Sequence, residues 1–397
     1  MTVQLGMPSP RGPAGGGPRP EGPRQSRGGR PELEGLQDRY GRVATDLRLS
    51  LTDKCNLRCT YCMPAEGLPW LAKDAVLTAE EIVRLVRIGV RDLGVRELRL
   101  TGGEPLVRAD VVEIVAALRA EHPELPIALT TNGVGLDRKA EALKAAGLTR
   151  LNVSLDTLHP EAFAELTRRP VLDRVLAGIE AADAAGLGPI KVNAVLMPGV
   201  NDADAPELLA WCLERGYELR FIEQMPLDAD HGWTRNGMIT AAEIRDLLGT
   251  RFRLTPDPRA RDGAPAERFE VRALPAGQDV SGDASGGGGD DGTGAAGAEQ
   301  AGPVLGTVGI IASVTEPFCA DCRRTRITAE GKVMSCLFSH EETDLRPLLR
   351  SGAPDADVAA RWQDAMWAKP KAHGMDHTGL GAADFVQPDR TMSAIGG

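Results

Sequence analysis

The sequence predicts an α/β fold, and three observations carry that expectation. Short apolar runs recur at Asp46–Leu51, Glu97–Thr101, Ile127–Thr130, Arg150–Ser154, Lys191–Leu196 and Glu218–Ile222. Helical patterns fill the gaps at Thr78–Leu93, Ala109–Ala120, Arg138–Ala146, Val171–Ala185 and Asp204–Glu214. The punctuation agrees with this order. Thr78 with Glu81 forms a capping-box pair at a helix start, and Gly147 and Gly186 stand where glycine ends helices. Strands alternating with helices build βαβ units and a parallel sheet. Periodicity does not decide between an open sheet and a partial barrel.

The totals set the boundaries of function. A chain of 397 residues with 42% hydrophobic content can bury a proper core. It holds no apolar run of about 18 residues, so no membrane span is expected. The N-terminus lacks an apolar signal region, and we expect a cytoplasmic protein. A net charge of −10 argues against nucleic-acid binding, which asks for a basic face. Residues 1–38, rich in Pro, Gly and Arg, read as a disordered tail. A second region runs over 226–345, where Arg268–Leu274 and Val308–Val314 read as strands of a hairpin. The Gly/Asp-rich stretch 275–303 between them reads as a flexible acidic insertion. Residues 346–397 form an extension ending in Gly396-Gly397.

Six of the seven cysteines fall into two groups of three. With an odd count and no export signal, metal binding is a better reading than disulfides. Cys55, Cys59 and Cys62 follow the first strand with C-x3-C-x2-C spacing. Three thiolates there can hold three corners of a cubane and leave one iron open, as a catalytic site requires. The bland alternatives are an incomplete zinc site or packed core thiols. Thr101-Gly102-Gly103-Glu104-Pro105 follows the second strand; its glycines permit close backbone approach, and Glu104 can accept from an ammonium. Thr130, Ser154, Asn193 and Met225 lie at or after later strand ends, where parallel barrels build their sites. The second group is Cys319-x2-Cys322-x13-Cys336. A Cys3His zinc site with His340 is its structural alternative. Arg324 and Arg326 follow directly and alternate onto one face, which suits an anionic, phosphate-bearing ligand. Cys212, in an apolar helical stretch, reads as a packed thiol.

The first loop, with Tyr61 before its last cysteine, resembles that of the radical S-adenosylmethionine superfamily. Two three-cysteine groups with CxxC-x-R-x-R narrow the resemblance to the MoaA family of GTP 3′,8-cyclases, over about Thr45–Phe338 apart from the insertion and again at the terminal MSAIGG. The resemblance implies an incomplete TIM-like (βα)6 barrel with a C-terminal iron–sulfur domain. It also implies two [4Fe-4S] clusters, at Cys55, Cys59, Cys62 and at Cys319, Cys322, Cys336, with S-adenosyl-L-methionine on the first. The implied reaction converts GTP to (8S)-3′,8-cyclo-7,8-dihydroguanosine 5′-triphosphate, the opening step of molybdenum cofactor biosynthesis.

Residue by residue, the resemblance places Tyr61, Gly103, Glu104, Ser154, Asn193 and Met225 at S-adenosylmethionine. It places Arg48, Arg99, Thr130, Lys191, Arg324, Thr325 and Arg326 at GTP, with Arg324 and Arg326 also catalytic. It implies an electron donor such as flavodoxin or ferredoxin, a downstream cyclic pyranopterin monophosphate synthase, a homodimer, and a Gly-Gly tail directed toward the active site. Two rival readings stand beside it: another radical enzyme with an auxiliary cluster, of the peptide-maturase type, and a zinc-binding adaptor.

Overall fold

A computed structural model describes residues 30–274, 302–373, 387–388 and 390–395. Most of the expected N-terminal tail, nearly all of the 275–303 insertion and Gly396-Gly397 lie outside the described residues. The six strands stand where the alternation predicts them: β1 (Asp46–Ser50), β2 (Glu97–Thr101), β3 (Ile127–Thr131), β4 (Arg150–Ser154), β5 (Ile190–Val195) and β6 (Glu218–Ile222). Each pairs in parallel with the next. Helices α1 (Ala79–Arg91), α2 (Val111–Glu121), α3 (Ala140–Ala145), α4 (Pro160–Thr167), α5 (Leu172–Ala184) and α6 (Ala205–Glu214) connect them. The Thr78 hydroxyl accepts from Glu81 N at 3.2 Å while the Glu81 carboxylate accepts from Thr78 N at 2.8 Å, completing the expected box.

The pleat sorts the strand residues. Leu47, Leu49, Leu98, Leu100, Leu129, Leu151, Val153, Val192, Leu219 and Phe221 are buried in the main core. The alternate positions Arg48, Arg99, Thr130, Ser154, Asn193 and Arg220 turn to the concave side, where they line a cavity. One face is therefore dry core, and the other is free to carry chemistry.

The last third of the chain extends the same sheet at both ends. After α7 (Ala241–Gly249) come β7 (Phe252–Pro256), β8 (Glu267–Ala273) and β9 (Val304–Ile311); then β10 (Arg324–Ile327), β11 (Lys332–Met334) and β12 (Thr343–Asp344). The strand order is β12-β11-β10-β1-β2-β3-β4-β5-β6-β9-β8-β7. β10 lies parallel to β1 and β9 parallel to β6. β8 and β9 pair antiparallel, as the hairpin reading expects. Among the described residues the twelve strands form one sheet that ends at β12 and β7, consistent with an incomplete barrel. Helices α8 (Arg346–Arg350), α9 (Asp355–Trp367) and α10 (Met392–Ile395) complete the chain. α9 packs on the back of β10, where Trp362 is wholly buried and its indole N–H donates to Thr325 Oγ1 at 2.9 Å.

Between β1 and β6 one helix escaped the sequence reading, as did the helices after β6. α4 carries Pro160 in its first turn and buries Phe163 and Leu166, but two turns are too short for periodicity to register. It has a clear task. Its last turn receives the first cysteine loop, with Arg58 N donating to Thr167 O at 3.0 Å and Thr60 N to Leu166 O at 2.9 Å. The Arg168 guanidinium adds bonds to the carbonyls of Arg58 and Met63, at 3.1 and 2.9 Å.

Candidate functional site

A cavity of about 300 Å³ opens at the carboxyl ends of the strands, and all six grouped cysteines line it. Cys55, Cys59 and Cys62 come from the loop after β1. Cys319, Cys322 and Cys336 come from the segments flanking β10 and β11. The two groups, some 260 residues apart in sequence, face one chamber because β10 docks beside β1.

Gly102 and Gly103 hold the first loop from beneath. A Cβ at Gly102 would lie 2.4 Å from Thr52 O, and one at Gly103 would lie 2.4 Å from Lys54 O. Gly103 N donates to Thr52 O and Glu104 N to Lys54 O, both at 2.8 Å. Close backbone approach does explain these glycines, but the backbone that approaches is the cysteine loop's own. Glu104 is almost wholly buried and accepts from Leu106 N at 2.9 Å, Thr131 Oγ1 at 2.7 Å and Asn132 N at 2.6 Å. It lines the cavity and also ties β2 to β3. Tyr61 donates to Asp156 Oδ2 at 2.7 Å, and Asp156 Oδ1 accepts from Val195 N at 2.9 Å. Tyr61, Gly103, Glu104, Ser154, Asn193 and Met225 all line the cavity, and Met225 packs in a small apolar cluster with Met238, Val314 and Phe338. The side-chain amide oxygen of Asn193 and the Thr101 hydroxyl are buried with no protein partner.

The electrostatics of the two thiol groups differ. Burial pushes the Cys55 thiol up to about 11, the Cys62 thiol up to about 12, and Cys59 well above its ordinary value. Burial also works against Cys322, yet the charges of Arg324 and Lys369 bring that thiol down to about 6. Arg324 Nη2 lies 3.2 Å and Nε 3.4 Å from Cys322 Sγ, and the guanidinium stacks 4.6 Å from the Phe318 ring centroid.

Deeper in the chamber the register lines up arginines. Arg326, Arg48 and Arg99 are direct neighbours across β10, β1 and β2, and Arg324 lies beside Asp46 one step earlier. Like charges side by side on a sheet repel. Arg220 on β6 joins them; its stem has room because its neighbour is Gly309, where a Cβ would come within 2.9 Å of Arg220 Cγ. Burial first and mutual repulsion second lower Arg48 to about 9; Arg326 is lowered to about 9 in the same way. Arg99 and Arg220 fall to about 10, chiefly through burial. The Nε atoms of Arg48, Arg99 and Arg220 are buried without a partner. Asp46 answers them from within, 3.7 Å from Arg48; the arginines outweigh its burial and hold its carboxyl below the usual range. Buried cations in such excess need an anion.

Two residues expected at the nucleotide stand apart. Thr325 faces α9 rather than the cavity, since its side chain bonds Trp362. Lys191 shares the inward face of β5 with Asn193 but does not line the cavity, and its Nζ pairs with Glu218 at 2.6 Å. Sequence reasoning missed Arg220 and Lys369. The first sits at a strand position of the kind that marked Asn193 and Thr130, and that signal was available; nothing local marks Lys369. At the chain's far end Met392 and Ser393 line the cavity, Ser393 hydrogen-bonds the Cys62 sulfur, and Ser50 Oγ donates to Ile395 O at 3.0 Å. The expected terminal Gly-Gly follows directly, outside the described residues. Cys212 is fully buried in the core, as a packed thiol should be.

The residues present fit iron–sulfur clusters. Among the described residues no three His, Cys, Asp or Glu side chains converge on a point that one metal ion could occupy. A cubane asks for no such convergence, because each thiolate takes a different iron. Among the described residues no helix is long and apolar enough to cross a membrane.

Comparison with known proteins agrees. Residues 49–212 match the Radical SAM superfamily and residues 296–375 match Molybdenum Cofactor Synthesis C. The chain is 75% identical over 363 residues to a GTP 3′,8-cyclase of Paenarthrobacter nicotinovorans, covering 91% of this chain and 97% of that one. It is 56% identical to the GTP 3′,8-cyclase of Streptomyces coelicolor, covering 91% and 96% of the two chains. With that of Mycolicibacterium smegmatis it shares 52% identity over the full length of both. Neither the peptide-maturase nor the zinc-adaptor reading gains support from these relatives. The chain belongs to the GTP 3′,8-cyclase family of radical S-adenosylmethionine enzymes.

Proposed function

We propose that the chain holds GTP between two [4Fe-4S] clusters and joins ribose C3′ to guanine C8, the first step of molybdenum cofactor biosynthesis. The observation that carries the reading is the chamber itself. Two sets of three cysteines line one cavity, with Arg48, Arg99, Arg220 and Arg326 on its wall. Cys55, Cys59 and Cys62 would hold the cluster that binds S-adenosylmethionine, and Cys319, Cys322 and Cys336 the second. When bound, the first cluster and S-adenosylmethionine supply a one-electron route to hydrogen abstraction.

The protein's own part is binding and aim. The buried guanidiniums neutralise a triphosphate in a low-dielectric pocket, where each charge-assisted bond contributes about 1.5–3 kcal/mol. Fixing the triphosphate on this arginine wall, between the two cysteine groups, holds C3′ in one pose. Thr130 on β3 and Arg324 beside Cys322 complete the nucleotide wall. Asn193 and Ser154 offer polar groups to S-adenosylmethionine, and the Tyr61–Asp156 bond fixes the loop that faces it. Residues 39–225 would then generate the radical and 226–345 present the substrate.

An electron donor of the flavodoxin or ferredoxin type would serve the first cluster, and a cyclic pyranopterin monophosphate synthase would consume the product. We place the enzyme in the cytoplasm, as a homodimer. The anaerobically reduced protein, with about eight irons per chain, should consume GTP and release 5′-deoxyadenosine in step. Release of 5′-deoxyadenosine with GTP untouched would favour a maturase instead.

A further inference from the structure

Lys369 is a lysine where a lysine is costly. It is 2% exposed, lies just beyond α9, and reaches across to the second cysteine group. Its Nζ donates to Cys322 Sγ at 3.2 Å, Arg324 O at 2.9 Å and Cys322 O at 3.4 Å. Those are three acceptors for three ammonium protons, so the group is saturated by the cysteine segment alone. Among the described residues no carboxylate pairs with it. The negative groups it faces are the sulfurs of Cys322 and Cys336, while Arg324 opposes it. A buried ammonium without a carboxylate persists only where another anion compensates it. Here the anion on offer is sulfur.

We infer that Lys369 is a positioning residue of the second cluster, donating a charge-assisted hydrogen bond to its Cys322 ligand and raising its reduction potential. The inference rests on the two-cluster reading above and adds a residue that no cysteine motif marks. The physical chain is short. A positive charge and an N–H on a ligand sulfur stabilise the more negative, reduced cluster over the oxidised one. The bonds to Cys322 O and Arg324 O hold the backbone between the ligand and Arg324 in place, so the arginine keeps its own contact with the same sulfur. Arg324 is exposed to the cavity and available to a nucleotide, whereas Lys369 is committed to the sulfur.

The test isolates the second cluster in the full-length chain with Cys55, Cys59 and Cys62 all changed to Ala, reconstituted with iron and sulfide. Its midpoint is read by redox titration with electron paramagnetic resonance, and iron is counted. Lys369→Met should retain about four irons and titrate at a more negative potential. At the parent's midpoint its oxidised-to-reduced ratio should rise roughly tenfold, ~59 mV for one electron. Lys369→Arg, which keeps charge and donors, should titrate close to the parent. If Lys369→Met holds no iron, Lys369→Gln takes its place, keeping an N–H without the charge, and a smaller shift in the same negative direction is expected. A midpoint unchanged in the neutral variant at full iron content overturns the inference. A parent that takes up no four-iron cluster overturns the two-cluster reading itself, and the iron count tells the two failures apart.

Discussion

The two cysteine groups of this chain share a cavity but sit in opposite electrostatic surroundings. Around Cys55, Cys59 and Cys62 the side chains nearest the sulfurs are Tyr61, Asn132 and, beneath the tyrosine, Asp156, while Arg58 spends its guanidinium on the carbonyls of Cys55 and Leu57. Those thiols are held protonated by burial, and the positive charge that would ionise them is that of bound iron. Around Cys322 the protein supplies positive charge itself, through Arg324 and Lys369. The first group is thus built to be neutral apart from what it binds. The second is built into an electropositive wall that continues through Arg326 and Arg48. The difference matches a division of labour, with one site for a zwitterionic amino-acid moiety and one for a polyanion.

The comparison can be broken most severely by removing one thiol from each side. Cys59→Ala should abolish S-adenosylmethionine cleavage, while Cys322→Ala should spare cleavage and lose cyclisation; each should lose about four irons. Chromatography of 5′-deoxyadenosine and of the GTP product checks this. Equal loss of cleavage in both variants would erase the distinction.

Next in size is the arginine wall. Arg220→Ala, or Arg326→Ala, removes a charge-assisted partner and should weaken GTP binding by roughly tenfold to a hundredfold. Titration calorimetry at fixed salt reads the change, and S-adenosylmethionine affinity should stay as it was. An unaltered GTP affinity in both variants would remove the polyanion reading of this wall.

The thiols themselves carry the third test, on metal-free protein. Cys322 is an acid lowered to about 6, so its reactive thiolate dominates at pH 7 and fades as pH falls through 6. Cys55 and Cys62, raised to about 11 and about 12, stay protonated and slow until the solution approaches those values. Iodoacetamide labelling followed by peptide mass spectrometry should therefore modify Cys322 first at pH 7. Labelling of Cys55 ahead of Cys322 would show the contrast to be wrong. The smallest effect is expected at Tyr61→Phe, which removes the bond to Asp156 and should cost about 1 kcal/mol. That is a few-fold weaker S-adenosylmethionine binding by calorimetry, with GTP affinity unchanged.

Much of the first site was legible in the sequence because its signals are local. Strand alternation, the C-x3-C-x2-C loop and the GGEP turn each occupy one short segment, and Thr130, Ser154 and Asn193 follow from strand ends alone. The second site depends on distant contacts. That Arg326, Arg48 and Arg99 stand in one row follows from β10 pairing with β1, a register no window of sequence contains. Lys369 finds Cys322 only after α9 has packed on the back of the sheet. Strand parity did carry some of this distance. Arg324 and Arg326 were expected on one face and lie there, whereas Thr325, expected with them at GTP, lies on the other against Trp362. α4 stayed hidden because two helical turns leave no periodic trace, although the helix seats the first cysteine loop.

Hydrogen abstraction from the ribose of a bound GTP can be followed by giving the reconstituted, reduced enzyme S-adenosylmethionine and GTP deuterated at C3′. Mass spectrometry should find the deuterium in 5′-deoxyadenosine and a 3′,8-cyclised nucleotide beside it. Unlabelled 5′-deoxyadenosine with intact deuterated GTP would rule out abstraction at C3′.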